Sequence, residues 1–497
     1  MKIFILILFC FYNISANEPQ KIFADNQIVA TVGPIKITVE EYLNGYEFGP
    51  AFIRQKDNSK ERYLNFMINE KLLTLFGYEE NFDKTEKFSN IYNEFVDDLA
   101  TEEMFKELIL PQIKISEEEI DTIITQKSID VSVMWIYSNN LKSITERYNQ
   151  IVVKNNFDSL FADQFSDTVL IDQRSMKKTR FQIGQRNPEM AAIIDTLEIG
   201  SISAPIKNGD EWYIVKLESA VANLFHTESE YNKLKSESVS AIKKNKMDIY
   251  SDEFVHNLLL EKKPIIKRDA LNILKSYLGK HFLEKKVYED WDLESKSEAV
   301  LKKMNIKDEE IPLLPLISMD ENEITLKEFM IWFRNRSQYI KVDKKSYKNY
   351  SSSLEGLIWR MVRDNLLTTL ARENGYYERE IVIQQSQWWK EKITYSMVRE
   401  ELIKAIQINN DEVKVSAENN EEDRITNLEK QFVRKMYSTL NLMKKKYPQK
   451  IDNELLDKIN VTTENDPDEI NIYFVKKNGL IPRQPYPTID FEWGLWE

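Results

Sequence analysis

The feature that most constrains this chain is an internal repeat. Gln27-Ile28-Val29-Ala30-Thr31-Val32 alternates like a strand, Gly33-Pro34 turns it, and Ile35-Lys36-Ile37 returns before Thr38-Val39-Glu40-Glu41-Tyr42-Leu43. Much later, Leu314-Pro315-Leu316-Ile317 and the turn-like Asp320-Glu321-Asn322-Glu323 lead into Ile324-Thr325-Leu326-Lys327-Glu328-Phe329-Met330. The Thr-x-x-Glu spacing in each copy is a capping box, so each predicts a hairpin that feeds a helix. The match continues at a constant offset of 294, pairing Leu64, Met67, Ile68, Glu70, Leu72 and Leu73 with Ile358, Met361, Val362, Asp364, Leu366 and Leu367. Their 3/4 apolar spacing predicts a helix buried on one face. Both copies then reach Gly-Tyr, at Gly77-Tyr78 and Gly375-Tyr376, and later share Glu-Leu-Ile at 107–109 and 401–403. Ile115 to Ile120 and Ile408 to Val413 each read as a capping pattern that opens another helix.

A third correspondence closes each copy. Leu258-Leu259-Leu260-Glu261-Lys262-Lys263-Pro264, with Ile266 beyond, resembles Leu440 to Pro448 with Ile451 beyond. Three matches in the same order predict a duplicated helical frame. Unit one spans 27–127 and closes with 223–275, a connector covers 276–312, and unit two spans 313–415 and closes with 424–460. Between its second and third blocks unit one holds residues 128–222, where unit two has only an acidic connector. A domain-sized segment is inserted in one copy.

At 497 residues the chain is long enough for several cores. Only 12 Gly and 14 Pro leave little room for an all-β sandwich, so helix is expected to dominate. The formal charge of −13, with no long Lys/Arg block, gives nucleic acid no counterion-releasing surface. Met1-Lys2, the apolar run Ile3 to Tyr12 and a small residue at Ala16 predict a signal peptide over 1–16. That run is shorter than the roughly twenty residues a membrane span requires. Cys10, the single cysteine, falls inside it and follows Phe9, an unfavourable context for a lipid anchor. With three scattered histidines (His226, His256, His281) and no mature thiol, Cys/His metal sites and cysteine nucleophiles are not expected. No phosphate loop, cofactor motif or nucleophile elbow occurs.

Within the insert, Val131 to Tyr137 reads as a strand, Leu141 to Val153 and Phe157 to Asp167 as helices, and Phe181 to Gly184 as a second strand. A helix over Pro188 to Leu197 and two strands, Gly200 to Ile206 and Trp212 to Leu217, complete the order β-α-α-β-α-β-β. Trp388-Trp389 cannot both face one core on a helix, so one indole is expected outside it; the pair reads as a helix–helix seam or, as the alternative, a client-binding aromatic patch. Residues 470–497 read as a strand at Ile472 to Val475 followed by a Pro- and Trp-bearing extended tail, placed either across the helical body or on a partner.

The insert resembles the parvulin family of peptidyl-prolyl isomerases. Gln164-Phe165-Ser166-Asp167, Asn187-Pro188-Glu189-Met190, Leu197-x-x-Gly200-x-x-Ser203-x-Pro205 and Trp212-Tyr213-Ile214-Val215-Lys216-Leu217 carry the resemblance. The flanking frame is similar to the helical parts of SurA-like periplasmic chaperones. Together they imply a mainly α fold, two SurA-N-like units each opened by a β-hairpin, with a small inserted α+β parvulin-like domain. Parvulins carry a histidine pair and a Cys or Asp. Here the resemblance puts those positions on Trp135, Tyr213 and Thr168, with Asp167 adjacent, so the catalytic set is degenerate. It assigns substrate contact to Arg186, Met190, Trp135 and Trp212. Prolyl rotation needs an apolar, pre-organised pocket against a barrier of about 18–20 kcal/mol, and a charged Arg186 weakens one. The resemblance therefore implies a periplasmic folding factor that holds unfolded exported polypeptides, outer-membrane proteins among them, without cofactor. An active isomerase and a structural subunit of an envelope assembly are the alternatives.

Overall fold

The computed structural model describes residues 27–54, 56–165, 171–223, 227–320, 322–337, 340–412, 421–461, 475–477, 481–483 and 485–496. The expected signal peptide, Cys10, Asp167, Thr168 and most of the strand expected at 472–475 lie outside them. The fold is mainly helical with small antiparallel sheets, and it divides into two units, Met1–Pro111 with Tyr250–Glu497, and Gln112–Ile249.

The first unit opens with β1 (Ile28–Val32) and β2 (Ile35–Thr38), joined at Gly33, whose φ of +55° suits a residue without a Cβ. The Thr38 hydroxyl accepts from the Glu41 amide at 3.1 Å and caps α1 (Val39–Glu47). Helices α2 (Ala51–Arg54), α3 (Ser59–Glu79) and α4 (Glu86–Leu108) follow.

The second unit begins with α5 (Glu117–Ser128), opened by a full capping box between Ser116 and Glu119. Next come β3 (Ile129–Ser138), α6 (Leu141–Lys154), α7 (Phe157–Ala162), β4 (Ser175–Thr179), α8 (Arg180–Arg186), α9 (Pro188–Ile194), β5 (Ile206–Asn208) and β6 (Glu211–Ala222). Their antiparallel sheet has the order β4-β3-β6-β5. One expectation fails here: Phe181 to Gly184 is helix, not strand. Thr179 and Gln182 form a capping box that starts α8, and the strand lies one step earlier. There Lys177 and Lys178 protect an exposed edge. The strand expected at Gly200 to Ile206 shrinks to β5 and a single bridge between Ile202 and Lys216.

The long α10 (Glu228–Lys262) leads back to the first unit. There follow β7 (Ile265–Ile266), α11 (Arg268–Phe282), α12 (Lys285–Asp290), α13 (Leu293–Met304), β8 (Pro315–Ser318), β9 (Glu323–Thr325), α14 (Leu326–Arg336) and α15 (Tyr347–Glu373). The chain continues with α16 (Glu380–Glu412), α17 (Glu421–Lys446), β10 (Gln449–Ile451), α18 (Asn453–Lys458), β11 (Val475–Lys477) and β12 (Ile481–Arg483). Helix α16 runs on through Glu412, so Ile408 to Val413 does not open a new helix. Asn409 and Asn410 cost a helix interior under about 1 kcal/mol each, and no Pro or Gly stops it.

The strand orders of the two hairpin sheets match: β10-β1-β2 and β7-β8-β9. Their closing strands are exchanged. β7, read from sequence as the close of unit one, pairs with β8 of the second hairpin (Ile266 opposite Ile317), while β10 pairs with β1 of the first (Ala30 opposite Ile451). The core around β1 and α3 accordingly takes Tyr395 and Val398 from α16 and Met436 and Leu440 from α17. The core around β8 and α15 takes Leu258 from α10 and Leu271 and Leu274 from α11. A third cluster joins Phe88, Leu99 and Met104 of α4 to Val382, Trp389 and Ile393 of α16. Both Trp388 and Trp389 are buried, because α16 contacts α3 on one side and α4 on the other.

Candidate functional site

Alternation along β3 and β6 sorts the sequence-selected residues of the insert onto two faces of its sheet. One face carries Val131, Val133, Trp135, Tyr213, Val215 and Leu217 and is covered by Ile183 of α8 and by Met190 and Ile194 of α9. The other carries Met134, Ile136, Trp212 and Ile214 and packs on α6 and α7. The structure therefore brings Trp135, Tyr213 and Met190 together and puts Trp212 on the opposite face. Met190 is a core residue, 7% exposed, while Arg186 ends α8 in solvent. Trp212 is half-buried, with the Lys207 ammonium 6.0 Å from its ring centroid.

Residues that sequence reasoning missed complete the first face. Tyr137 stands two positions beyond Trp135 and directly opposite Tyr213, with ring centroids 5.8 Å apart. The Arg174 guanidinium lies 4.8 Å from the Tyr137 centroid, and the Tyr213 hydroxyl donates to the Glu211 carboxylate. The period-2 rule applied to Trp135 locates Tyr137, whereas Arg174 lies on a neighbouring segment that no local pattern connects to it. Partial burial, with Glu211 adding to it, pushes the Tyr213 phenol up to about 12, so it stays a neutral donor. The result is a half-buried aromatic surface, Trp135-Tyr137-Tyr213, edged by one cation and one carboxylate. It can hold apolar and amide groups, and no histidine or thiol stands among its described residues.

Charged side chains also converge inside the first unit. The Lys71 ammonium lies between the Glu41 and Glu391 carboxylates, 2.6 Å from the latter, and all three are buried. Burial raises the Glu41 carboxyl to about 7 against the attraction of Lys71. Burial disfavours the Lys71 charge, but Glu391 and Glu41 outweigh it and hold the ammonium firmly protonated. Glu70, also buried, pairs with Lys392 at 2.8 Å. A cavity of about 20 Å³ adjoins both groups, lined in part by Tyr63, Trp388 and Tyr395. Among the described residues no cluster of His, Cys, Asp or Glu could hold a metal ion, and no helix is long and apolar enough to cross a membrane.

No family model and no curated protein matches the chain. Among solved structures it is similar to the foldase protein PrsA of Streptococcus pneumoniae, at 14% identity over 43% of this chain and 85% of that one, with a TM-score of 0.22. It is also similar to a structure described as SurA-like chaperones of Campylobacter jejuni, at 16% identity over 47% of this chain and 98% of that one, TM-score 0.23. The peptidylprolyl isomerase PrsA of Bacillus cereus gives 15% identity over 57% of this chain and 100% of that one, TM-score 0.25.

Proposed function

We propose that this protein is an extracytoplasmic folding factor that holds unfolded exported polypeptides and acts by binding. The observation that carries this reading is the aromatic surface Trp135-Tyr137-Tyr213. Half-buried rings with polar edges bind extended chain through apolar contact at low entropic cost, and they need no covalent step. Arg174 and Glu211 add hydrogen-bonding edges suited to a peptide backbone. The parvulin-like motifs of the insert and the SurA-like pattern of the frame agree with a polypeptide ligand. The signal-peptide pattern at 1–16 agrees with an envelope location, and outer-membrane proteins are the clients proposed.

The test is light scattering of a urea-diluted outer-membrane protein. The full chain is expected to suppress aggregation at near-stoichiometric ratio, and Trp135→Ala with Tyr137→Ala to weaken suppression several-fold while leaving circular dichroism unchanged. Aggregation unaffected by excess protein refutes the reading. An exchange-NMR measurement on Xaa-Pro peptides is expected to give the uncatalysed rate, because the positions matched to the catalytic pair are Trp135 and Tyr213.

A further inference from the structure

The C-terminal segment Tyr486 to Trp496 lies in a groove of the first unit as a ligand lies in a receptor. Tyr486 rests on Phe48 with centroids 5.3 Å apart, and the Pro487 carbonyl passes over Gly45, 3.6 Å from where a Cβ would stand. The Asp490 amide donates to Glu70 at 2.8 Å. The Asp490 carboxylate accepts from Lys392 at 2.9 Å, Tyr395 at 2.8 Å and Arg399 at 3.0 Å. Glu492 pairs with Arg399. Trp493 is fully buried, stacked on Phe66, and its indole donates to Glu70 at 3.0 Å. Trp496 closes the segment against Phe432 and Trp493. Between these anchors Phe491 and Leu495 face outward, 56% and 68% exposed.

The second hairpin and its helices provide an internal comparison. Counting from the capping threonines Thr38 and Thr325, position Gly45 of α1 corresponds to Trp332 of α14, and at the offset of 294 that relates the following helices Glu70 corresponds to Asp364. In the second copy the Trp332 indole donates to Asp364 at 2.8 Å, within one local packing unit. In the first copy Gly45 has no side chain, the Tyr63 hydroxyl and the Pro487 carbonyl lie 3.2 and 3.6 Å from where its Cβ would stand, and Trp493, a residue 423 positions along from Glu70, delivers the indole instead. The buried acid is retained in both copies. The source of its aromatic partner differs, a helix of the frame in one copy and a separate segment in the other.

We infer that the groove bounded by Gly45 of α1, Glu70 of α3 and Lys392 and Arg399 of α16 is a peptide-binding site. Its ligand class is an extended acidic segment with a tryptophan three residues beyond an aspartate, and the chain's own tail is its resident ligand. Recognition has three parts: an indole slot over Phe66, a carboxylate clamp at Lys392-Tyr395-Arg399, and backbone hydrogen bonding to Glu70. A peptide of that composition supplied by another molecule competes with the tail. The inference does not depend on the aromatic face of the insert or on the chaperone reading.

The experiment uses the full chain and a fluorescein-labelled peptide of residues 485–497, followed by fluorescence anisotropy. Full-length Trp493→Ala weakens the tail and is expected to bind the peptide with micromolar affinity. The wild-type chain is expected to bind about ten-fold more weakly, because its own tail occupies the groove. Adding Lys392→Met to the first variant, or replacing the aspartate of the peptide by asparagine, is expected to abolish binding, and high salt to weaken it. A folded Trp493→Ala chain that ignores the peptide overturns the proposal. Should that variant not fold, a wild-type chain with a protease site inserted after Gly479 is cut after folding. Exchange of the released tail for labelled peptide then supports the site. Unfolding on cleavage, or a tail that never exchanges, overturns it.

Discussion

Glu41 occupies a position that ordinarily completes a capping box, yet its carboxylate turns into the core and meets Lys71. Two buried carboxylates, Glu41 and Glu391, share that one ammonium, and one Glu41 oxygen has no hydrogen-bond partner. Its carboxyl therefore titrates near 7 rather than at the ordinary 4.5. A group whose folded pKa is raised contributes stability that is fully present below its unfolded pKa and is lost as pH rises through the folded one. Urea unfolding of the wild-type chain should accordingly show the first unit losing up to about 3 kcal/mol between pH 5 and pH 8 from this residue. Glu41→Gln, which cannot ionise, should flatten that slope, and an unchanged slope in the variant would assign the effect elsewhere. None of this was legible in the sequence. Glu41 reads there as an exposed capping residue, and Glu391 lies 320 positions from Lys71. Trp493 and Asp490 were hidden for the same reason: a tail rich in Pro and Trp reads as extended chain, and its partners sit on helices near residues 70 and 395.

At the scale of elements, the strongest periodic signals were readable and their pairings were not. Both hairpins, both capping threonines and the helix of Leu64 to Leu73 appear where the sequence puts them, since each is fixed by residues within a few positions of one another. The strand wrongly placed at Phe181 to Gly184 shows the limit of apolar alternation, which a capping box at Thr179 and Gln182 overrides. The pairing of β7 with β8 and of β10 with β1 joins strands far apart in the chain, and no local pattern fixes which hairpin each closes. The exchange makes a prediction. If the chain is expressed as two pieces split between Ile306 and Lys307, each piece holds a hairpin whose closing strand is on the other piece. Neither should reach native helicity alone, and mixing should restore it, as followed by circular dichroism and size-exclusion chromatography. Independent folding of both pieces would show that the exchanged strands contribute little. Helix α16 joins the same scheme through Trp389, whose ring centroid lies 4.4 Å from that of Phe95 on α4. Trp389→Ala should cost about 3–5 kcal/mol in urea unfolding, while Leu442→Ala, at an exposed position of α17, should stay within about 0.5 kcal/mol.

At the scale of the whole molecule, each unit builds its own core. Gln112–Ile249 is held by Val131, Val133 and Ile183 on one face of its sheet and by Ile136, Ile144 and Ile214 on the other. A third cluster there pairs Ile120 and Ile124 of α5 with Ile242 of α10. A unit of this size with cores of its own is expected to fold as a domain. The remainder of the chain is held by cores that draw on residues from Val29 to Trp493, and the strand exchange ties its two hairpins into one cooperative body. Stability should therefore be apportioned by unit rather than by repeat. Calorimetry of the intact chain should resolve two transitions, and residues 112–249 expressed alone should reproduce one of them. Ile136→Ala should lower that transition and leave the other in place. Glu70→Ala should do the reverse, because it strips the acid that holds both Lys392 and the tail indole. A single transition that both substitutions shift equally would mean that the units unfold together, and the cores would then not be the units of stability that their residues define.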